Sequence, residues 1–213
     1  MHIPDGLIAP QAYLAAAAIA VPCWAYAVKR VSSALDERAI PRLAVLTALA
    51  FVLSTIMLPL PGGTSAHLYG MGLLVLVFGL WPAFLAFSLV LALQALLLGA
   101  GGITALPVNA LTMGLAGGAV VVGARSLLGA NTAAWATVFP VWLGVVVAAT
   151  GLALVLGAQP LLGSDTDGQP LFFPFGPAVT LPVIVLPHMV IGLLEGILTW
   201  MVLGVLQARR AAA

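Results

Sequence analysis

The chain contains several hydrophobic runs, each long enough to cross a lipid bilayer as a helix. A bilayer core about 30 Å thick is crossed by about 20 apolar residues in helical form. Hydrophobic residues make up 63% of the sequence and charged residues only 6%, compared with about 25% charged residues in a soluble domain. A surface with so little charge cannot face water, so the sequence predicts an all-α integral membrane protein.

The hydrophobic runs predict seven transmembrane helices in a single domain that covers residues 1–213. One continuous helix from His67 to Gly99 would be about 50 Å long at about 1.5 Å per residue, more than a bilayer core requires. Because Pro82 suits the first turn of a helix, we divide this stretch into two spans. The predicted spans are residues 8–28, 43–60, 68–80, 82–98, 106–128, 132–157 and 178–206, with a Gly/Pro-rich loop at 159–178.

The positions of the basic residues predict how the chain is oriented in the membrane. With seven spans, all seven Lys and Arg residues lie on one side, whereas with six spans the last three change sides. Basic residues concentrate on the cytoplasmic side, so the pattern favours seven spans with an extracytoplasmic N-terminus and a cytoplasmic C-terminus. No basic residue precedes Lys29, which does not fit a cleaved signal peptide, and we expect Met1 to be retained. The basic residues are Lys29, Arg30, Arg38, Arg42, Arg125, Arg209 and Arg210.

Few polar side chains lie at membrane depth, and each is a candidate functional group because its burial there is costly. His67 follows the sequence LPGGTSA. Thr64 or Ser65 is expected to cap the next helix, which would leave His67 near the outer surface, and both hydroxyls are candidates to support a ligand there. His188 and Glu195 are seven residues apart and share one helix face. They could form a proton relay or hold adjacent helices together, and both interpretations stay open.

The first two residues form a potential chelating group for a metal ion. The α-amine of Met1, the backbone amide nitrogen of His2 and the His2 Nδ1 can bind one ion through a five-membered and a six-membered chelate ring. These donors lie nearly in a plane and leave one corner for a further ligand such as His67. Planar nitrogen coordination suits Ni(II) or Cu(II), with Co(II) possible, whereas Zn(II) prefers a tetrahedron.

Four stretches of the sequence resemble the CbiM/NikM family of cobalt and nickel substrate-capture subunits, the S components of energy-coupling factor importers. They are, in chain order, MHIPDGL, PGGTSAHLYG, NALTMG and HMVIGLLEG. The resemblance implies a seven-helix membrane subunit whose extracytoplasmic N-terminal segment, residues 1–7, folds back into the bundle. It implies that the Met1 amine, the amide and imidazole nitrogens of His2, and His67 bind the metal. Asn109 would then support these ligands.

The resemblance also implies a function and a set of partners. The chain would be a substrate-binding subunit in a prokaryotic cell membrane, crossing it several times, with Ni(II) or Co(II) as the transported substrate. The sequence has no GxxxxGKS/T phosphate loop, no HExxH and no GxSxG motif, so we expect it not to be an enzyme. ATP hydrolysis is expected in separate cytoplasmic ATPase subunits, linked through a transmembrane coupling subunit. A small accessory membrane subunit and membrane lipid are further expected partners, and nucleic acid is not.

A different function remains open from the residues alone. If His188 and Glu195 relay protons, the chain would be a proton-coupled metal permease.

Overall fold

The computed structural model describes residues 2–60, 64–129 and 133–211, and most of these residues are helical. α4 ends in a π-helical turn, Gln94–Leu98, and α5 contains a π-helical stretch, Ala110–Ala116. A short antiparallel hairpin of β1 (Leu58–Leu60) and β2 (Thr64–Ala66) lies between α2 and α3. The seven helices in the described ranges are α1 (Pro10–Ala34), α2 (Ala39–Thr55), α3 (Met71–Phe78), α4 (Leu80–Leu98), α5 (Leu106–Leu127), α6 (Trp135–Gly157) and α7 (Pro177–Ala211).

Five of these helices, α1 and α4 to α7, are long and apolar enough to cross a membrane within the part of the chain that the structure describes. Leu14 of α1 and Val190 of α7 are exposed, as expected for side chains that face lipid. α2 is apolar but has only 17 residues. α3 has eight residues, which rise about 12 Å, so it does not cross the bilayer core by itself. The expected all-α membrane fold is therefore present with a shorter third helix and a small hairpin.

The chain before α3 is not helical, contrary to the expectation that Thr64 or Ser65 caps this helix. Both residues lie in β2, and the N-cap of α3 is Gly70, which has no side chain that could cap the helix. Gly70 has a φ of +73°, a left-handed conformation that favours glycine. A Cβ on Gly70 would lie 2.9 Å from the Ala50 Cβ, so a side chain at this position would also collide with α2.

α4 occupies the middle of the bundle and supplies much of its core. Phe84, Phe87 and Val90 are completely buried, and α4 packs against α1, α2, α3 and α5. α6 and α7 form the most extensive helix pair in the described chain. They approach closely at Gly196, where a Cβ would lie 2.8 Å from the Val138 carbonyl oxygen. Small residues allow this approach, as is usual for helices packed within membranes.

Candidate metal centre

Residues 2–9 form a segment that folds over one end of the helical bundle, and Asn109 holds its beginning. The Ile3 amide donates a hydrogen bond to the Asn109 Oδ1 at 3.0 Å, and the Asn109 Nδ2 donates one to the Ile3 carbonyl at 3.1 Å. Ile3 and Asn109 are both buried. Asn109 directly precedes the π-helical stretch of α5, a feature that often occurs at functional sites. Asn109 therefore fixes the backbone next to His2 through both the amide and the carbonyl group of Ile3.

Asp5 anchors the middle of the same segment on the loop before α5. Its carboxylate accepts hydrogen bonds from the Ile103 amide at 3.0 Å, from the Thr104 amide at 2.8 Å, and from the Thr104 hydroxyl. The hydrogen bond from the Thr104 hydroxyl, together with those from the backbone, lowers the pKa of Asp5. Gly6, with a φ of +85°, then completes the Pro-Asp-Gly turn.

Two glycines of this loop leave room for the N-terminal segment. A Cβ on Gly101 would lie 3.0 Å from the His2 Cβ. A Cβ on Gly102 would overlap the Asp5 backbone nitrogen and its carboxylate. The sequence analysis did not identify Asp5, Gly101 or Gly102 as site residues. Their signal in the sequence is a Gly-Gly pair and an acidic residue in a turn, neither of which indicates that the two segments meet.

Two further hydrogen bonds hold the end of the segment to the last third of the chain. The Ala9 amide donates to the Gln159 Oε1 at 2.8 Å, just before α1 begins. The Phe173 amide donates to the Leu7 carbonyl at 3.2 Å. The segment is therefore held by α5, by the loop before α5, and by the connection between α6 and α7.

The histidine rings of His2 and His67 lie against each other beneath this segment. Their centroids are 4.6 Å apart and their planes are inclined by 35°. His67 is 1% exposed, so its side chain is buried within the protein. Both residues have a buried Nε2 without a hydrogen-bond partner in the structure. Sequence spacing could not show this burial, because the N-terminal segment that covers His67 is distant along the chain.

The hydrogen bond of His67 shows which of its nitrogens is free to bind a ligand. Its Nδ1 lies 3.1 Å from the Leu68 carbonyl oxygen, which can only accept. Nδ1 therefore carries the proton, and Nε2 has the free lone pair. Burial lowers the pKa of His67 to about 3 and also lowers the pKa of His2 well below its ordinary value. Both imidazoles are thus neutral near pH 7, which is the form that binds metal ions.

His188 and Glu195 of α7 both face the interior but do not form a continuous relay. The His188 Nδ1 lies 2.6 Å from the Ile184 carbonyl oxygen, and its Nε2 is buried without a partner. The Glu195 carboxylate accepts hydrogen bonds from the amides of Tyr69 at 3.1 Å and Gly70 at 2.6 Å. No hydrogen bond joins these two α7 side chains within the described chain. Glu195 instead fixes the turn that follows His67.

The structure brings some of the expected ligands together and leaves others undescribed. His2, His67 and Asn109 meet at one end of the bundle, whereas Met1 lies outside the described residues. Across residues 2–60, 64–129 and 133–211, no three His, Cys, Asp or Glu side chains are grouped so that they could hold a metal ion. Two imidazoles alone do not complete a metal site, so any metal here needs donors other than those side chains.

The fold and this centre define a multi-pass membrane protein with a buried pair of neutral histidines under its N-terminal segment. A family model described as "CbiM: Cobalt uptake substrate-specific transmembrane region" matches residues 2–213. The chain therefore belongs to the CbiM family.

The chain is similar to relatives in this family over most of its length. This chain is 34% identical to the fused nickel transport protein NikMN of Rhodobacter capsulatus, over 93% of this chain and 59% of that protein. It is 34% identical to the probable fused nickel transport protein LarMN of Lactiplantibacillus plantarum, over 95% of this chain and 63% of that protein. The chain thus spans less than two thirds of the length of these curated relatives.

The fold is similar to that of a solved structure. A crystal structure described as a truncated transition metal transporter is 36% identical and superimposes with a TM-score of 0.92, over 98% of this chain and 99% of that one.

Proposed function

We propose that the chain is the membrane-embedded substrate-binding subunit of an ATP-driven energy-coupling factor importer. It captures Ni(II) or Co(II) from outside the cell with four nitrogen donors: the Met1 α-amine, the His2 backbone amide, the His2 imidazole and the His67 imidazole. The metal is the transported substrate and not a resident cofactor. Family membership supports this proposal, and nickel and cobalt both occur in the names of relatives.

The observation that carries the proposal is the spacing of the two buried histidine rings. With a metal–nitrogen bond of about 2 Å, each ring centroid lies roughly 3.1 Å from the metal, and two imidazoles at a right angle have centroids about 4.4 Å apart. The centroids of His2 and His67 are 4.6 Å apart. In the proposed plane these two rings occupy adjacent corners, because the His2 amide lies opposite His67. The ring spacing therefore suits the proposed donor set without a large rearrangement.

The free atoms of the two rings also suit this arrangement. His67 presents its Nε2 lone pair, since its Nδ1–H is directed to the Leu68 carbonyl. The His2 amide has no acceptor among the described contacts, whereas the neighbouring Ile3 amide is bound to Asn109. Planar coordination by nitrogen favours Ni(II) over Zn(II), and Co(II) also accepts it.

Energy for import has to come from other subunits under this proposal. The sequence has no phosphate-binding loop, so cytoplasmic ATPases and a transmembrane coupling subunit are the proposed partners, with a small accessory membrane subunit as a further one. The permease alternative requires proton transfer between His188 and Glu195. The two amide hydrogen bonds to Glu195 argue against that role, because they engage both carboxylate oxygens in holding the backbone.

The N-terminal amine provides the decisive experiment. The protein would be produced with a removable tag directly before Met1, in cells supplied with nickel or cobalt, and its metal content measured by mass spectrometry after purification. The tag converts the amine into an amide, so we expect the tagged protein to contain no bound metal. Removing the tag so that Met1 is again the first residue should restore binding.

Two controls accompany this measurement. A tag after Ala213 should leave the metal content unchanged, and His67→Ala should abolish it while the protein still folds. Full metal content in the protein with a blocked N-terminus would exclude Met1 as a ligand.

A further inference from the structure

His188 is a buried side chain near the proposed centre that the four-nitrogen donor set does not use. It is 2% exposed. It lies on α7, two helical turns before Glu195, which binds the backbone that follows His67. This position also lets it interact electrostatically with the His2 and His67 rings. Its Nε2 is buried and has no hydrogen-bond partner in the structure. A buried polar atom without a partner is costly and calls for an explanation.

The hydrogen bonding of His188 determines what its free nitrogen can do. Its Nδ1 lies 2.6 Å from the Ile184 carbonyl oxygen of the preceding helical turn. A carbonyl oxygen only accepts, so the Nδ1 of a neutral His188 is the donor. The proton is thereby fixed on Nδ1, and Nε2 presents a lone pair. The His188 Nε2 is therefore a buried hydrogen-bond acceptor without a donor.

Only one of the two neighbouring histidines can offer a donor to this acceptor. The His67 Nε2 also carries a lone pair, and two lone pairs do not form a hydrogen bond. His2 is different, because chelation through its Nδ1 requires the proton of a neutral imidazole to reside on Nε2. That Nε2 is also buried and without a partner. Metal binding at His2 therefore creates a buried donor, and His188 offers an unused buried acceptor.

We propose that the His188 Nε2 accepts a hydrogen bond from the His2 Nε2–H, directly or through one water molecule, when the His2 Nδ1 binds the metal. His188 is then a positioning residue: it selects the metal-binding tautomer of His2, fixes the ring and increases the electron density on Nδ1. Metal-bound histidines commonly donate their second ring N–H in this way, and losing the acceptor typically weakens metal binding by about 10-fold to 100-fold. This inference rests on the proposed function, specifically on ligation by His2.

Two substitutions separate the two nitrogens of His188. His188→Asn keeps a donor near the Nδ1 position for the Ile184 carbonyl but removes the acceptor. His188→Gln keeps an acceptor near the Nε2 position. We expect Ni(II) affinity, measured by competition with a chelator on the full chain in detergent, to fall about 10-fold to 100-fold for His188→Asn. His188→Gln should retain more of the affinity than His188→Asn does.

The visible absorption spectrum of bound Ni(II) distinguishes a positioning residue from a ligand. We expect the same spectrum for the wild type and both variants, because the four nitrogen donors are unchanged. A matched control is Thr180→Val on the same helix, which removes a buried hydrogen bond to the Ala153 carbonyl. This control should leave Ni(II) affinity unchanged. A changed spectrum in both His188 variants would mean that His188 binds the metal directly and would overturn the proposal.

Unchanged affinity in His188→Asn would also overturn it. If that variant does not fold, the wild type loaded with square-planar, diamagnetic Ni(II) provides a second measurement by proton nuclear magnetic resonance. We expect a downfield imidazole N–H resonance from His2 that exchanges slowly with solvent, and a rapidly exchanging one would contradict the proposal.

If a blocked N-terminus and His67→Ala both leave metal binding intact, the proposed function fails and the inference fails with it. If both abolish binding and His188→Asn does not weaken it, only the inference fails.

Discussion

At the scale of single residues, the centre depends on keeping two histidines neutral, mainly through burial. His67 is 1% exposed, and its Nδ1–H is directed to a carbonyl of its own backbone. Burial disfavours the imidazolium form, so the rings remain available as ligands at pH values where an exposed histidine would be protonated. Proton competition for the proposed site must therefore come mainly from the other donors.

This gives a prediction for the pH dependence of metal binding. Burial lowers the pKa of His67 to about 3, so this imidazole releases no proton when metal binds near pH 6. The Met1 amine, with an ordinary pKa of about 7.7–8.0, and the His2 amide must each release one. We expect release of about two protons per metal ion, so that Ni(II) affinity falls about 100-fold for each pH unit lost between pH 6.5 and pH 5.5.

Competition titrations at several pH values measure this slope. A slope near three would mean that an imidazole also titrates. A slope of one or less would contradict joint ligation by the amine and the amide.

At the scale of structural elements, the N-terminal segment behaves as one docked unit. The Gly101–Gly102 loop receives it, and Gly102 is the position where an added methyl group meets Asp5. Gly102→Ala should displace Asp5 and disrupt its hydrogen bonds to the Ile103 and Thr104 amides. At about 1 kcal/mol for each of the two bonds, and tenfold in affinity for each 1.4 kcal/mol, we expect Ni(II) to bind about 30-fold more weakly.

Gly123→Ala is the matched control for this prediction. A Cβ on Gly123 meets no atom within 4 Å, and the residue lies in α5 far from the segment. This substitution should leave Ni(II) affinity unchanged and, because alanine favours a helix, should not lower thermal stability. Equal affinities for the two variants would show that docking of Asp5 does not contribute to metal binding.

The helices could be predicted from the sequence, whereas most of the contacts that build the centre could not. A helix that crosses a membrane requires a long apolar stretch, so the hydrophobic runs predict helices such as α6 and α7. The predicted start of the third helix, residue 68, was wrong, because α3 begins at Met71. This start depends on Gly70, whose left-handed backbone fits against α2. The pairing of Asp5 with Thr104 joins residues distant in sequence, and neither residue alone indicates the other. His67 was identified through its sequence neighbours, but its burial follows from tertiary packing.

At the scale of the whole molecule, the centre and the basic residues lie at opposite ends of the bundle. α1, α5 and α7 each begin beside the N-terminal segment: Ala9 binds Gln159, Asp5 binds Thr104, and Leu7 binds Phe173. Each of these helices then runs away from the centre and carries its basic residues near its far end. Arg38 and Arg42 lie at the start of α2, which follows the far end of α1. The basic residues near the far ends of α1, α5 and α7 are Lys29, Arg30, Arg125, Arg209 and Arg210.

Because basic residues concentrate on the cytoplasmic side, their separation from the centre predicts that the centre faces the outside of the cell. On a background with Cys23→Ala, we expect Asp167→Cys, in the loop between α6 and α7, to react with a membrane-impermeant maleimide in intact cells. Ser126→Cys, next to Arg125 and also exposed, should react only after the membrane is opened. The protein with Cys23→Ala alone is the control and should remain unlabelled. The reverse pattern at either site would place the centre on the cytoplasmic side.

The hydrogen bonds of the N-terminal segment also set the order in which the molecule can be completed. Residues 2–9 are synthesised before every group that holds them: Asn109, Thr104, Gln159 and Phe173 all follow later on the ribosome. The segment must therefore remain without its native contacts while the remaining helices are being inserted. A chain that stops before the connection between α6 and α7 lacks the hydrogen bonds of Ala9 with Gln159 and of Leu7 with Phe173. The pocket can therefore receive its full set of hydrogen bonds only after α6 and the connection that follows it have been synthesised.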